Sequence, residues 1–99
     1  QGILLDPPAY GRGPEGEKWV LEEQIDDMLK SVKEILDPKE HILLTNVYSL
    51  GFSTLVVENL MNGLFDVPQN AEFGEIYLND TFNKKLPLGV FHRYLYQEN

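Results

Sequence analysis

The stretch Ile3-Leu4-Leu5-Asp6-Pro7-Pro8-Ala9-Tyr10-Gly11-Arg12-Gly13-Pro14 decides how this chain is read. Three apolar residues form a short buried strand that stops at a carboxylate. Proline fixes φ and has no N–H, so Pro7-Pro8 ends the strand and leaves its carbonyls turned toward whatever lies beyond. In open α/β sheets, ligands bind just outside the carboxyl ends of the strands. A carboxylate, fixed carbonyl acceptors and an aromatic side chain at that place can hold a planar, hydrogen-bonding group. A strand end followed by a rigid turn accounts for Asp6-Pro7-Pro8 without any ligand, and that alternative stays open at this point.

Outward from this junction, a Gly/Pro-rich loop is expected to about Lys18. From Trp19, Val20 and Leu21 through Ile25, Met28, Leu29, Val32, Ile35 and Leu36, apolar residues recur at helical spacing. Acidic residues crowd the first turns and Lys30 and Lys33 the later ones, complementing the helix dipole. Asp37-Pro38 ends the helix, because proline pushes its predecessor out of helical geometry. His41 to Asn46 is a continuous apolar strand, the pattern of a parallel strand covered on both faces. Ser53 is a good N-cap for a second helix that ends near Gly63 to Phe65. Glu75 to Asn79 and Gly89 to Tyr96 then read as two strands without a helix between them, so they should pair antiparallel. The order is β-α-β-α-β-β in one α/β domain spanning residues 1–99. The two helices are expected to cover the sheet on both faces or to share one.

Composition narrows the function classes. A net charge of −8 argues against binding nucleic acid by bulk electrostatics, although most of the excess lies between Glu15 and Glu40, on a helix whose wet face is the simplest home for it. The chain has no cysteine, which rules out within it a disulfide, a thiolate metal site and a nucleophilic thiol, and fits a reducing compartment; a cytoplasmic location is expected. No apolar run is long enough for a membrane helix and no secretory leader opens the sequence. Gln1 in place of Met suggests that the natural start lies elsewhere. His41 and His92 have no second ligand at metal-binding spacing, so no metal is expected. Lys84-Lys85 reads as a solvated basic spot on a turn.

The run Asp6 to Trp19, with Asp-Pro-Pro-x-Tyr, then Gly-Arg-Gly-Pro and Gly-Glu-x-Trp, closely resembles the fourth motif of class I S-adenosylmethionine-dependent methyltransferases related to the bacterial large-subunit ribosomal RNA enzymes. The resemblance continues more weakly over the whole chain. It implies the carboxyl-terminal half of a Rossmann-like methyltransferase sheet, whose antiparallel last strand inserts between its two predecessors. The family's main cofactor-binding elements, a glycine-rich loop after the first strand and an acid ending the second, have no counterpart here. Gly11-Arg12-Gly13 sits in another loop.

By this resemblance Asp6, Pro7, Pro8 and Tyr10 form the catalytic edge. Asp6 and the proline carbonyls accept N–H groups of a base ring, and Tyr10 stacks on it or walls the pocket. One departure stands out: enzymes that methylate exocyclic amines usually place the aromatic directly after Pro-Pro, and here Ala9 intervenes. The cytosine C5 route requires an attacking cysteine, which this chain lacks. Arg12, Asn46 and Tyr48 are substrate-binding candidates, although Arg12 between glycines can simply be solvated and Asn46 and Ser49 can simply satisfy loop backbone. The implied cofactor is S-adenosylmethionine in the complete domain, and the implied partner is RNA. A first strand without an outer neighbour is further expected to promote self-association. The competing reading is a small acidic interaction domain without catalysis.

Overall fold

The computed structural model describes residues 1–7, 10–16, 18–48 and 52–98, with backbone alone at Tyr10, Arg12, Trp19 and Glu22. Four strands form the main sheet: β1 (Gly2–Leu5), β4 (Glu40–Val47), β5 (Glu72–Asn79) and β6 (Lys85–Gln97). Their spatial order is β1-β4-β6-β5. β1 and β4 are parallel, which requires the crossover that α1 (Leu21–Ile35) supplies. β6 is antiparallel to both of its neighbours and lies between β4 and β5, as the resemblance implies.

One segment departs from expectation. The stretch read as loop forms a small hairpin, with β2 (Tyr10–Arg12) against β3 (Lys18–Val20). Its turn is closed by Gly16 N–H donating to the Gly13 carbonyl at 3.0 Å, with Gly16 at φ 85°, a conformation that favours glycine. Trp19 and Val20, expected at the start of the helix, are therefore extended, and α1 begins at Leu21. The β-branched valine and the aromatic ring suit a strand better than a first helical turn.

Helix α1 buries Leu21, Ile25, Leu29 and Val32, a stripe at spacings of four, four and three. Lys30 and Asp26 form the i,i+4 pair at 2.7 Å on its wet side, where it contributes little. The second helix, α2 (Thr54–Leu64), starts as expected at Ser53, whose hydroxyl accepts from Val56 N–H at 3.2 Å. Val57 and Met61 complete the core against Leu43, Val47, Val90 and Tyr94. Both helices thus share one face of the sheet, and the overall extents of 47 × 41 × 21 Å are those of two layers.

The expectation that the second strand is covered on both faces is corrected here. Along β4, His41, Leu43, Thr45 and Val47 are buried, while Ile42 on the other face is 48% exposed. A continuous apolar run does not by itself distinguish one covered face from two. Ile42 lies opposite Leu95 and Leu44 beside Leu4, so the uncovered face is an apolar strip crossed by the Arg93–Glu72 ion pair at 2.6 Å.

Inside the covered face, Thr45 and His92 stand directly opposite each other, each 1% exposed. Thr45 Oγ1 and His92 Nδ1 have no hydrogen-bond partner among the described residues. Phe73 stacks on the imidazole with ring centroids 6.0 Å apart. Burial pushes the His92 pKa below its usual 6.5. A depressed histidine pKa means that the unfolded chain binds more protons as pH falls below 6.5, so stability is complete above that pH and is lost on acidification toward the folded pKa. Asp37 acts lower: its carboxylate accepts from the N–H groups of Lys39 and Glu40, which holds its pKa under 3.8, and its contribution is lost only below that value. Thermal unfolding followed from pH 7.5 to 5 is expected to show a falling stability with a slope of at most about 1.4 kcal/mol per pH unit from this one proton. His92→Phe, which keeps the stack, should flatten that slope.

β1 is the edge of the sheet. Ile42 N–H donates to the Gln1 carbonyl at 2.8 Å, and with the register Ile3↔Leu43 this turns the Gly2 and Leu4 backbone groups away from β4. Leu4 is 63% exposed. Such an edge is a template for another strand, and the expected outcome is concentration-dependent association in sedimentation, reduced by Leu4→Lys. A strictly monomeric chain whose Gly2 and Leu4 amides resist hydrogen exchange would contradict it.

Candidate active edge at the carboxyl ends of β1 and β4

The parallel register closes with Leu5 beside Thr45. The next residues of the two strands, Asp6 and Asn46, therefore stand on the same carboxyl edge. Pro7 is buried and fixes the chain as it leaves β1, while Asp6 itself is exposed. Among the described residues the Asp6 carboxylate makes no hydrogen bond or ion pair, and a carboxylate can accept several. Pro8, Ala9 and Ser49 lie outside the described residues. Tyr10 and Arg12 lie on β2, which follows within a few residues of the edge and leads through β3 directly into α1.

Asn46 is half-buried and alternates onto the uncovered face with Ile42 and Leu44. Tyr48 follows the end of β4 and is 44% exposed. Its place is set by Gly89: a Cβ there would collide with the Val47 carbonyl oxygen and stand 3.0 Å from Tyr48 Cα. Gly89 thus permits β6 to press against the end of β4 where the candidate residues lie. No hydrogen bond joins Asp6, Asn46 and Tyr48 to one another among the described residues. The edge is an assembly of separate groups rather than a prepared network.

A second polar cluster lies at the opposite end of β4. His41 Nδ1 is 2.7 Å from the Asp37 carbonyl, which can only accept, so this nitrogen carries the proton. Nε2 then accepts from the Tyr94 hydroxyl at 3.1 Å. Tyr96 stacks on the imidazole at 5.2 Å, and burial with the Asp66 carboxylate nearby pushes the Tyr94 pKa up to about 12. They line a cavity of about 170 Å³ with Lys33 and Phe65. The imidazole's two nitrogens are both used in these contacts, so the cluster reads as a closed structural unit holding α1 to the sheet. Among the described residues no group of three His, Asp or Glu side chains is placed to hold a metal ion. No helix among them is long and apolar enough to cross a membrane.

No family model matches the chain, and no curated protein does. Among solved structures, the crystal structure of the SAM dependent methyltransferase from Agrobacterium tumefaciens is similar to it, with a TM-score of 0.69 and 28% sequence identity over 94% of this chain. The match covers 32% of that protein, so this chain spans about a third of its length. The fold matches part of a Rossmann-like methyltransferase fold. The inserted β6 and the sheet edge bearing Asp6 follow from that architecture. Sequence reading missed the extension of β6 at its start, from the expected Gly89 back to Lys85, and with it the residues that β5 and β6 carry past the end of β4. The alternation Leu86, Leu88, Val90 was the available signal, masked by Pro87.

Proposed function

We propose that this chain is the substrate-side part of an S-adenosylmethionine-dependent methyltransferase that acts on RNA in the cytoplasm. The observation that carries the activity is the structural likeness to a methyltransferase over nearly the whole chain at 28% identity. RNA as the acceptor rests on the resemblance of the Asp6 to Trp19 stretch to ribosomal RNA enzymes.

S-Adenosylmethionine supplies an electrophilic methyl group on a sulfonium. This chain's own residues do not form a cradle for it: Gly11, Gly13 and Gly16, the glycines that follow β1, belong to the β2–β3 hairpin and its turn rather than to a loop running from a strand into a helix, and Gly51 is the single glycine between β4 and α2 in the sequence. The residues present deal with the acceptor. Methyl transfer from a sulfonium is an in-line displacement, in which a protein contributes mainly proximity and alignment. The exposed Asp6 carboxylate can accept an N–H of a base ring, fixing its plane and withdrawing the proton from the attacking nitrogen. Asn46 on the adjacent strand end offers an amide to a second edge atom, and Tyr48 offers a ring. Arg12 and Tyr10 are carried by the hairpin that follows β1.

Two outcomes are expected. Titration of S-adenosylmethionine into residues 1–99 by calorimetry should show no tight binding, and a dissociation constant in the low micromolar range would overturn the assignment of a partial site. In a protein that also carries the cofactor loop, Asp6→Ala should abolish turnover with little change in thermal stability, because an exposed strand-end carboxylate contributes little packing yet aligns the acceptor in the transition state. Equal losses of activity and stability would support a purely structural turn, and with it the non-catalytic interaction domain.

A further inference from the structure

β4 ends at Val47, opposite Val90 of β6. β6 begins five residues earlier, at Lys85, and pairs there with β5 up to Asn79 opposite Lys85. The two strands and their turn therefore continue past the carboxyl edge of the parallel pair by about 17 Å at the usual rise per residue. They form an arm, Tyr77 to Leu88, standing beside the edge that bears Asp6, Asn46 and Tyr48. A register shift between Ile76 and Tyr77 marks its base, next to Gly89, where β6 presses on Val47 and Tyr48.

The tip is held rigid. Asp80 Oδ1 accepts from the N–H groups of Phe82 and Lys84, each at 2.8 Å. Asp80 N–H donates to the Lys84 carbonyl at 2.8 Å, and Asn83 N–H to the Asp80 carbonyl at 3.3 Å. Asn83 takes the left-handed conformation at φ 62°, which asparagine tolerates better than most residues. The loop Thr81-Phe82-Asn83 is a three-residue hairpin connection fixed by a carboxylate. On this fixed turn Phe82 is 81% exposed, the most exposed large apolar side chain among the described residues. Tyr77 is 46% exposed, with Lys85 Nζ 4.8 Å from its ring centroid.

Charge sets the arm apart. It holds Asp80 against Lys84 and Lys85, a net +1, so the other residues of this −8 chain sum to −9. Lys84-Lys85 is the only adjacent basic pair in the sequence, and neither lysine makes an ion pair among the described residues. The one carboxylate on the arm is already engaged by backbone N–H groups. A solvated turn needs no exposed phenylalanine, and a purely apolar protein-docking knob needs no adjacent lysines beside it. Aromatic faces beside unpaired ammonium groups match bases beside phosphates, and duplex stacking leaves no base face open to them.

We infer that the Tyr77–Leu88 arm binds single-stranded nucleic acid, with Phe82 stacking on an unpaired base, Tyr77 supplying a second ring and Lys84 and Lys85 meeting backbone phosphates. This deepens the RNA reading of the active edge and rests on it: the arm would hold the strand beside the base that Asp6 receives. The rigid turn presents the ring without a large ordering cost.

The test is fluorescence anisotropy of residues 1–99 with labelled single-stranded RNA, single-stranded DNA of the same sequence and the matching RNA duplex, over a range of salt. Single strands should bind more tightly than duplex, and a preference between RNA and DNA identifies which strand the arm serves. Phe82→Ala should weaken single-strand binding about tenfold, with circular dichroism unchanged because the side chain is exposed. Replacing both lysines by glutamine should reduce the salt dependence by about 1.4 units of slope. Unchanged affinity in both variants, equal binding of duplex, or Phe82-dependent self-association without nucleic-acid binding overturns the inference. Its failure is separable from that of the activity. RNA methylation by the protein with its cofactor loop, at unaltered KM in Phe82→Ala, would discard the arm alone; Phe82-dependent strand binding with no methyl transfer would discard the activity alone.

Discussion

Because β6 hydrogen-bonds along both of its edges, to β4 over Val90–Gln97 and to β5 over Lys85–Arg93, its position fixes everything around it. A strand inserted antiparallel between two others cannot slip by one residue without turning Val90, His92 and Tyr94 out of the core and Arg93 into it. The register is further held by Gly89, where any side chain would strike the end of β4. That contact sets the distance between the arm on one side of β6 and the strand ends of β1 and β4 on the other.

A core on only one face of a four-stranded sheet constrains the rest. Leu21, Leu29, Leu43, Val47, Val57 and Met61 are all nearly inaccessible, so the covered face is packed as a domain interior should be. The other face keeps Leu4, Ile42 and Leu95 in contact with solvent, with the Arg93 guanidinium 5.3 Å from the Phe91 ring centroid and paired to Glu72. A cation over a ring and an exposed ion pair provide small stabilisation compared with burial. The unpaired groups of Thr45 and His92 inside the core subtract from it, by about 1–3 kcal/mol for each such group.

The elements that were legible in the sequence are those whose signal is local. Ser53 caps α2 because a hydroxyl there meets Val56 N–H; the apolar period of α1 identifies Leu21, Ile25, Leu29, Val32 and Leu36 as buried, although Ile35 of the same period is 64% exposed; two consecutive strands without a helix had to pair antiparallel. Asp6 at a strand end beside Asn46 followed from two apolar runs joined by one helix. What was not legible depended on distant partners. Whether β4 is covered on one face or two is decided by where α2 packs, not by Ile42 or Leu44. The β2–β3 hairpin was hidden by glycines and prolines that mark a loop and a tight turn equally well. Nothing local reveals that β6 reaches past β4, or that Asp80 Oδ1 accepts from Phe82 N–H at the tip of that extension.

The same geometry relates the two halves of the proposed mechanism. Acceptor alignment by a single exposed carboxylate is a weak constraint, since Asp6 has no partner among the described residues to hold it and the groups around it are not networked. An alignment of this kind becomes effective only if the ring arrives already oriented, because the entropy of positioning must be met before the transition state and not within it. A rigid arm that fixes neighbouring nucleotides supplies that orientation through binding energy remote from the reacting atom. In the proposed mechanism the exposed Asp6 and the turn held by Asp80 would serve one end, the turn restricting how a strand approaches the carboxylate.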